Sequence, residues 1–269
     1  MSGTVYLVGA GPGAADLLTL RAARLLERAD VVFHDALVPQ EILSLVSKEK
    51  RIEVGKRSGR YSTAQHFINK QLADAARRHP VVVRLKGGDP MLFGRAHEEL
   101  AYLRKQRIRC EVVPGITAAL AASADLRVSL TRRGLSRSVV FVTPRAAVGE
   151  RANPWVKAVM AADTAGIYMG AGQAGEISRA LIAAGKPSST PVVVIEHASL
   201  PEGRRFFGTL AGLEGLAARG AGGPMLILLG EVYREAAASQ IIGAWPRELS
   251  SSLPTVRATR SGRARSSSS

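Results

Sequence analysis

The sequence predicts an α/β protein built as two α/β domains, and three observations carry this expectation. Short apolar runs of strand type alternate with amphipathic stretches of helical spacing through the first half of the chain, and strand-type runs recur through the second. Glycine-rich turns follow two of the runs directly, at Gly9-Ala-Gly-Pro-Gly13 and at Gly87-Gly88, where open α/β sheets place their ligands. At 269 residues the chain exceeds the usual size of a single domain.

Residues 4–8 (Thr-Val-Tyr-Leu-Val) read as a strand, followed by the first glycine turn and an amphipathic helix over 16–29. Residues 31–33 form a second apolar run ending at His34-Asp35, with a helix over 39–47 and a strand over 51–54. Helical spacing covers 65–78, the run Pro-Val-Val-Val-Arg-Leu at 80–85 is a strand, and Lys86-Gly-Gly-Asp-Pro90 turns into a helical region over 94–106. Such regular alternation predicts a mostly parallel sheet covered by helices. Residues 108–113 close that pattern, and an Ala-rich helix begins near Thr117, which places the domain boundary between 113 and 114. Beyond it, strands are expected at 138–143, 164–169, 191–195 and 224–229, with helices at 174–184 and 210–218.

Composition narrows the function classes. Apolar residues make up 46% and charged residues 22%, near globular averages, which excludes a wholly disordered or fibrous chain. No apolar run approaches membrane-spanning length and the N-terminus lacks signal-peptide character, so a cytoplasmic protein without a membrane partner is expected. The one cysteine, Cys110, lies in a strand-like context and reads as buried filler rather than a nucleophile. From Arg247 onward, five arginines and one glutamate sit in a Ser-rich stretch, so 247–269 is expected to be a disordered basic tail after a body ending at 246. The formal charge is +15; without the tail the body keeps about +11, which favours an anionic ligand. Aromatic residues, at 5%, give little from which to build stacking platforms for nucleic acid, and no specific nucleic-acid partner is expected.

The first glycine turn fits a dinucleotide site, with Ala14 in the third glycine position and Asp35 about twenty residues on. Pro12 argues against it, because it removes an N–H from the loop whose amides would hold pyrophosphate. In the second turn, adjacent glycines let a ligand lie against the backbone, and Asp89 either accepts hydrogen bonds from a ligand or caps the following segment. The five histidines never pair at metal-ligand spacing, and no Cys-x-x-Cys or Gly-x-Ser-x-Gly occurs, so neither a metal nor a hydrolase triad is expected. Thr131-Arg-Arg133 with Arg137 reads as a solvated basic face.

In order along the chain stand Val8-Gly-Ala-Gly-Pro-Gly13, Val54-Gly-Lys-Arg57, Val83-Arg-Leu-Lys-Gly-Gly-Asp-Pro90 with Phe93-Gly-Arg95, Val113-Pro-Gly-Ile-Thr-Ala118, Tyr168-Met-Gly170 and Gly230-Glu-Val232. Over residues 4–235 the chain thereby resembles the S-adenosylmethionine-dependent uroporphyrinogen-III C-methyltransferases of the tetrapyrrole methylase superfamily. The resemblance implies two α/β domains with the active-site cleft between them, a homodimer, and successive transfer of two methyl groups to pyrrole carbons of uroporphyrinogen III, giving precorrin-2 for sirohaem and cobalamin synthesis. It puts the methyl donor S-adenosylmethionine against Pro12, Gly87, Gly88, Asp89, Leu92, Thr117, Ala118 and Met169, with Ala198 where the family has glycine. It assigns proton handling and substrate binding to Asp35, Lys56, Arg84 and Arg95, with Asp35 as general base, Lys56 as a possible proton donor, and a basic cleft for the eight substrate carboxylates.

The chain departs from the family pattern at Ala36, at Ala96-His97, at Arg132-Arg-Gly134 and at Pro144-Arg145. These changes read either as redistributed positive charge around the same carboxylates or as a changed substrate. A methylase of a later precorrin, an NAD-binding Rossmann oxidoreductase and a basic nucleic-acid-binding module are the alternative readings.

Overall fold

The computed structural model describes residues 2–54, 62–146 and 154–239. Lys56 and the basic tail at 247–269 lie outside the described residues.

Five strands form the first sheet: β1 (Thr4–Gly9), β2 (Val31–His34), β3 (Arg51–Glu53), β4 (Val81–Lys86) and β5 (Arg109–Val113), in the order β3-β2-β4-β1-β5. Every pairing in it is parallel, as the alternating pattern predicts. A parallel sheet needs both faces covered, and the period of two along each strand divides the side chains accordingly. Val8, Val32, Val83 and Leu85 face a core with α1 (Leu20–Arg28) and α2 (Gln40–Leu43). Val5, Leu7, Val31, Phe33 and Val82 face α3 (Ser62–Ala76) and α4 (Ala96–Lys105) on the other side. The same parity sends Arg84 and Lys86 of β4, and Asp35 just beyond β2, toward the α3–α4 face.

The chain passes from this sheet to a second one across residues 114–117, and α5 (Ala118–Leu126) packs on the second sheet. That sheet contains β6 (Val139–Val142), β7 (Thr164–Tyr168), β8 (Pro191–Glu196), β9 (Arg204–Thr209) and β10 (Met225–Gly230), in the order β6-β7-β10-β8-β9. Only β6 and β7 pair in parallel; the other pairs are antiparallel. On one face Val192, Val194, Ile227 and Leu229 pack against α6 (Trp155–Ala161), α7 (Ala174–Ala183) and α8 (Leu213–Ala218). On the other, Val193, Ile195, Leu226 and Leu228 pack with Ala119, Ala122 and Leu126 of α5 and with Tyr233, just before α9 (Arg234–Ser239).

Three elements were not expected from the sequence, namely β9, α6 and α9. β9 reads Arg-Arg-Phe-Phe-Gly-Thr, without alternation, and lies at the sheet edge, where pairing with β8 alone makes it a strand. The helix expected over 39–47 shortens to α2, because the Ser44 hydroxyl donates to the Glu41 carbonyl at 2.5 Å, a local bond that competes with helix continuation. The helix expected over 16–29 begins as a single 3-10 turn and restarts at Thr19, whose hydroxyl accepts the Ala22 N–H at 3.1 Å.

Candidate active site

In the first sheet, the connection from β1 runs to β2 past β4, while that from β4 runs to β5 past β1. The strand order therefore reverses between β1 and β4, and their C-terminal ends form the crevice that open α/β sheets use for ligands. The two glycine turns of the sequence meet there. Gly11 N–H donates to the Gly88 carbonyl at 3.2 Å and Gly88 N–H to the Gly11 carbonyl at 2.7 Å. Ala10 N–H donates to the Lys86 carbonyl at 2.7 Å, and Ala14 N–H to Ser199 Oγ at 3.0 Å. With these amides engaged and no N–H on Pro12, the first turn offers little of the anion nest that pyrophosphate requires.

Asp89 fastens the second turn to the segment entering α5. Its Oδ1 accepts Met91 N–H at 2.8 Å and its Oδ2 accepts Gly115 N–H at 2.9 Å. A Cβ on Gly115 would lie 2.3 Å from the Gly88 carbonyl oxygen, so three stretches of backbone meet here with no space for a side chain. In front of the second turn the situation is the opposite. Among the described residues, a Cβ on Gly88, whose φ is +65°, would have only Thr117 Cα within reach, at 4.0 Å, and one on Gly87 only Leu37 Cβ, at 3.6 Å. Among the described residues, the turn thus presents bare backbone with nothing packed on it, and Leu37, Met91, Phe93 and Met169 are exposed. Backbone polar groups beside exposed apolar side chains fit a ligand such as S-adenosylmethionine, which carries an adenine, a ribose and a thioether-like chain.

The second sheet closes over this crevice. Tyr168, at the end of β7, shares a hydrogen bond of 2.6 Å with Thr117 Oγ1, accepts the Ala119 N–H at 3.0 Å, and stacks at a tilt on Phe93 with ring centroids 5.2 Å apart. Burial raises the pKa of its phenol, so it remains a neutral hydroxyl. Leu92 and Ala118 are half-buried in the same neighbourhood. Ala198 is buried in the α5-side core and lacks the positive φ of its neighbours His197 and Ser199, so its methyl group is accommodated inside the protein. Among the described residues, seven non-glycine residues have positive φ. Arg107 and Arg127 follow helices, whereas Phe93, Arg95, Met169, His197 and Ser199 all lie in loops after strand ends, two of them candidates from the sequence.

On the α3–α4 side of the crevice lies a buried charge cluster. Arg84, only 2% exposed, donates from Nη2 to Asp35 Oδ1 and from Nε to Glu99 Oε1 at 3.1 Å. Lys86 Nζ donates to the same Glu99 oxygen at 3.0 Å, as does Gln65 Nε2 at 3.1 Å. Burial, and then the charge of Arg84, lower the Lys86 pKa. Asp35 retains 29% side-chain exposure, so the cluster reaches the surface through it. Arg84 itself is spent on carboxylates of this chain. Arg95 occupies the residue before α4 in a left-handed conformation, without a side-chain capping bond, and forms a bidentate pair with Glu98, at 2.6 and 2.7 Å, with its side chain 45% exposed.

The structure therefore brings together Pro12, Gly87, Gly88, Asp89, Thr117 and Ala118 around one crevice, with Met169 following Tyr168, and places Asp35 and Arg84 in contact. Glu99, Tyr168 and Ser199 were not picked out as site residues from the sequence. Glu99 carried a signal, since Ala96, Glu99 and Leu103 form the buried face of α4 at helical spacing. The Cys110 thiol is pushed up to about 12 by burial, which agrees with filler rather than a nucleophile. Arg132, Arg133 and Arg137 are exposed, as a solvated basic face should be. No group of metal-ligating side chains stands together among the described residues. A separate depression of 330 Å³ beside α7 and α8, lined by Gln173, Glu176, Arg179 and Glu214, includes none of the candidates.

Known proteins share this architecture. The profile of the tetrapyrrole (corrin/porphyrin) methylases matches residues 4–214. A siroheme synthase of Chromobacterium violaceum is 45% identical over 233 residues, covering 86% of this chain and 50% of that protein. A siroheme synthase of Klebsiella pneumoniae is 46% identical over 234 residues, again 50% of its own length, so the chain spans about half the length of the curated relatives it matches. The crystal structure of a Thermus thermophilus uroporphyrin-III C-methyltransferase in complex with S-adenosyl homocysteine superposes with a TM-score of 0.76 at 39% identity, covering 87% of this chain and 100% of that one. A cobalt precorrin-4 methyltransferase superposes with a TM-score of 0.75 at 26% identity, over 85% of this chain and 95% of that one. With the strand order, the interlocked glycine turns and the matched sequence in agreement, the chain belongs to the tetrapyrrole (corrin/porphyrin) methylase family.

Proposed function

We propose that this protein transfers two methyl groups in succession from S-adenosylmethionine to pyrrole carbons of uroporphyrinogen III, giving precorrin-2 for sirohaem or cobalamin synthesis. The observation that carries the reading is the interlocked pair of glycine turns, which presents bare backbone at Gly87-Gly88 to an open crevice under Thr117 and Tyr168. Greater identity to uroporphyrin-III than to cobalt precorrin-4 methyltransferases, 39% against 26%, favours the earlier substrate.

S-adenosylmethionine supplies a methyl group already activated by its sulfonium, so the protein's task is orientation, an effect worth roughly 7–11 kcal/mol when reactants are held in line. Gly87, Gly88, Thr117 and Ala118 hold the donor, Pro12, Leu92, Met169 and Ala198 border it, and Asp89 acts by fixing the turn. Each methylation leaves a cation on the macrocycle, which loses a proton from a bridge carbon to restore neutrality. Asp35, partly exposed and oriented by Arg84, is the general base for that proton. Arg84 positions Asp35, Arg95 meets substrate carboxylates by exchanging its Glu98 partner, and Lys56 is a candidate proton donor.

Residues 1–113 and 114–246 are taken as the two domains that form the cleft, followed by the tail at 247–269. A homodimer in the cytoplasm is part of the same reading, supported by the family resemblance; among the described residues no helix is long and apolar enough to cross a membrane. The test is incubation with uroporphyrinogen III and S-adenosylmethionine followed by mass analysis. A product gaining two methyl groups is expected; an unchanged tetrapyrrole that is replaced as substrate by a later precorrin would reassign the enzyme.

A further inference from the structure

Glu99 is the most completely buried acidic group of the cluster, 0% exposed, and no sequence motif assigned it a role. One of its oxygens accepts from Arg84, Lys86 and Gln65, while Oε2 has no partner among the described residues. A carboxylate so placed is costly, and an apolar side chain on the buried face of α4, beside Ala96 and Leu103, would pack with less penalty. Its retention calls for a reason beyond packing, and its partners supply one. Arg84 connects it to Asp35, and Lys86 immediately precedes the Gly87-Gly88 turn.

We infer that Glu99 is a positioning residue for methyl transfer, holding Arg84 from the α4 side so that Arg84 in turn fixes the orientation of Asp35. This rests on the reading of Asp35 as the base. Among the described residues, the charged groups around Asp35 are Arg84 and Lys86 on β4 and Glu99 on α4, with the His34 ring beside it on β2 and the neutral Gln65 and Asn69 behind Glu99 on α3. Without Glu99, Arg84 would have Asp35 as its sole carboxylate partner in this cluster. A guanidinium held by one carboxylate instead of two can turn with it, so the Asp35 geometry would no longer be fixed from α4.

The test is Glu99→Gln, which keeps the shape and an acceptor oxygen but removes the charge. Under saturating substrate, kcat is expected to fall about tenfold, with KM for uroporphyrinogen III and affinity for S-adenosylhomocysteine within about twofold of wild type. In an Asp35→Asn background the same change should add almost no further loss, since both act through one carboxylate. Should Glu99→Gln not fold, Glu99→Asp is read in the same two backgrounds and should show a smaller loss of kcat that likewise disappears beside Asp35→Asn. An unaltered kcat, or a loss of kcat that persists undiminished in the Asp35→Asn background, overturns the inference. The functional reading is tested apart from this on the wild-type protein, and is overturned when that protein transfers no methyl group to uroporphyrinogen III.

Discussion

Asp35, proposed as the general base, is the side chain on which the proposed chemistry is tested most directly. Its contact with buried Arg84 orients it, while partial exposure leaves it reachable by a substrate in the crevice. Asp35→Asn preserves shape but cannot take a proton, so single-turnover methyl transfer should slow by roughly 10²- to 10⁴-fold while S-adenosylhomocysteine binds as in wild type. A folded, fully active variant would move the base elsewhere. Gly88 makes the complementary case for binding. Gly88→Val would place a branched side chain in the open face of the turn, in a left-handed conformation that β-branched residues avoid. Calorimetry should show loss of S-adenosylhomocysteine binding, with far-UV circular dichroism unchanged. Tyr233 tests the opposite situation, a buried hydroxyl without a partner among the described residues. Burial raises its pKa, and an unsatisfied polar group costs about 1–3 kcal/mol, so Tyr233→Phe should leave stability unchanged or increase it in urea unfolding. A clear loss of stability would reveal a partner for the hydroxyl.

At the scale of elements, α5 links the two sheets. It follows β5 of the first, packs on the second, and has its first turn satisfied by Tyr168 of β7 through Ala119 N–H and Thr117 Oγ1. Thr117 makes no side-chain capping bond of its own, so a phenol from a neighbouring strand replaces the usual local cap. Tyr168→Phe should therefore cost about 1–2 kcal/mol in urea unfolding, and should also weaken S-adenosylhomocysteine binding, because Thr117 and Ala118 lose their anchor. Loss of stability with unaltered binding would separate the helix start from the donor site. β4 is the other decisive element. Its residues alternate between two cores, so Val83 and Leu85 pack under one layer of helices while Arg84 and Lys86 reach Glu99 under the other.

For the whole molecule, the crevice lies between two sheets with separate cores, and a ligand that touches both should stabilise both. S-adenosylhomocysteine at about a hundred times its Kd should stabilise the folded protein by about 2.7 kcal/mol, read as a rise of roughly 5–10 °C in Tm. NAD should give no comparable shift, because the amides of Ala10, Gly11 and Ala14 are already engaged and Pro12 has none. Equal stabilisation by NAD would restore the dinucleotide reading of the first turn.

The alternation of apolar runs and glycine turns determined the first sheet almost strand for strand, because strands covered on both faces are mostly apolar and the βα turns at the crevice bring backbones together closely enough to need glycine. Motif spacing likewise placed the crevice, from Gly9 through Gly88 to Thr117. Pairing partners far apart in sequence lie outside what local pattern can tell. β9 becomes a strand only beside β8, and the antiparallel order of the second sheet follows from contacts such as Leu228 with Val193. The division of labour among charged residues was decided the same way. Arg84, Glu99 and Lys86 stand within one run of sixteen residues, yet only the pleat of β4 and the pitch of α4 turn all three into a single dry space. In that space each charge needs a partner, and Arg84 finds two, in Asp35 and Glu99.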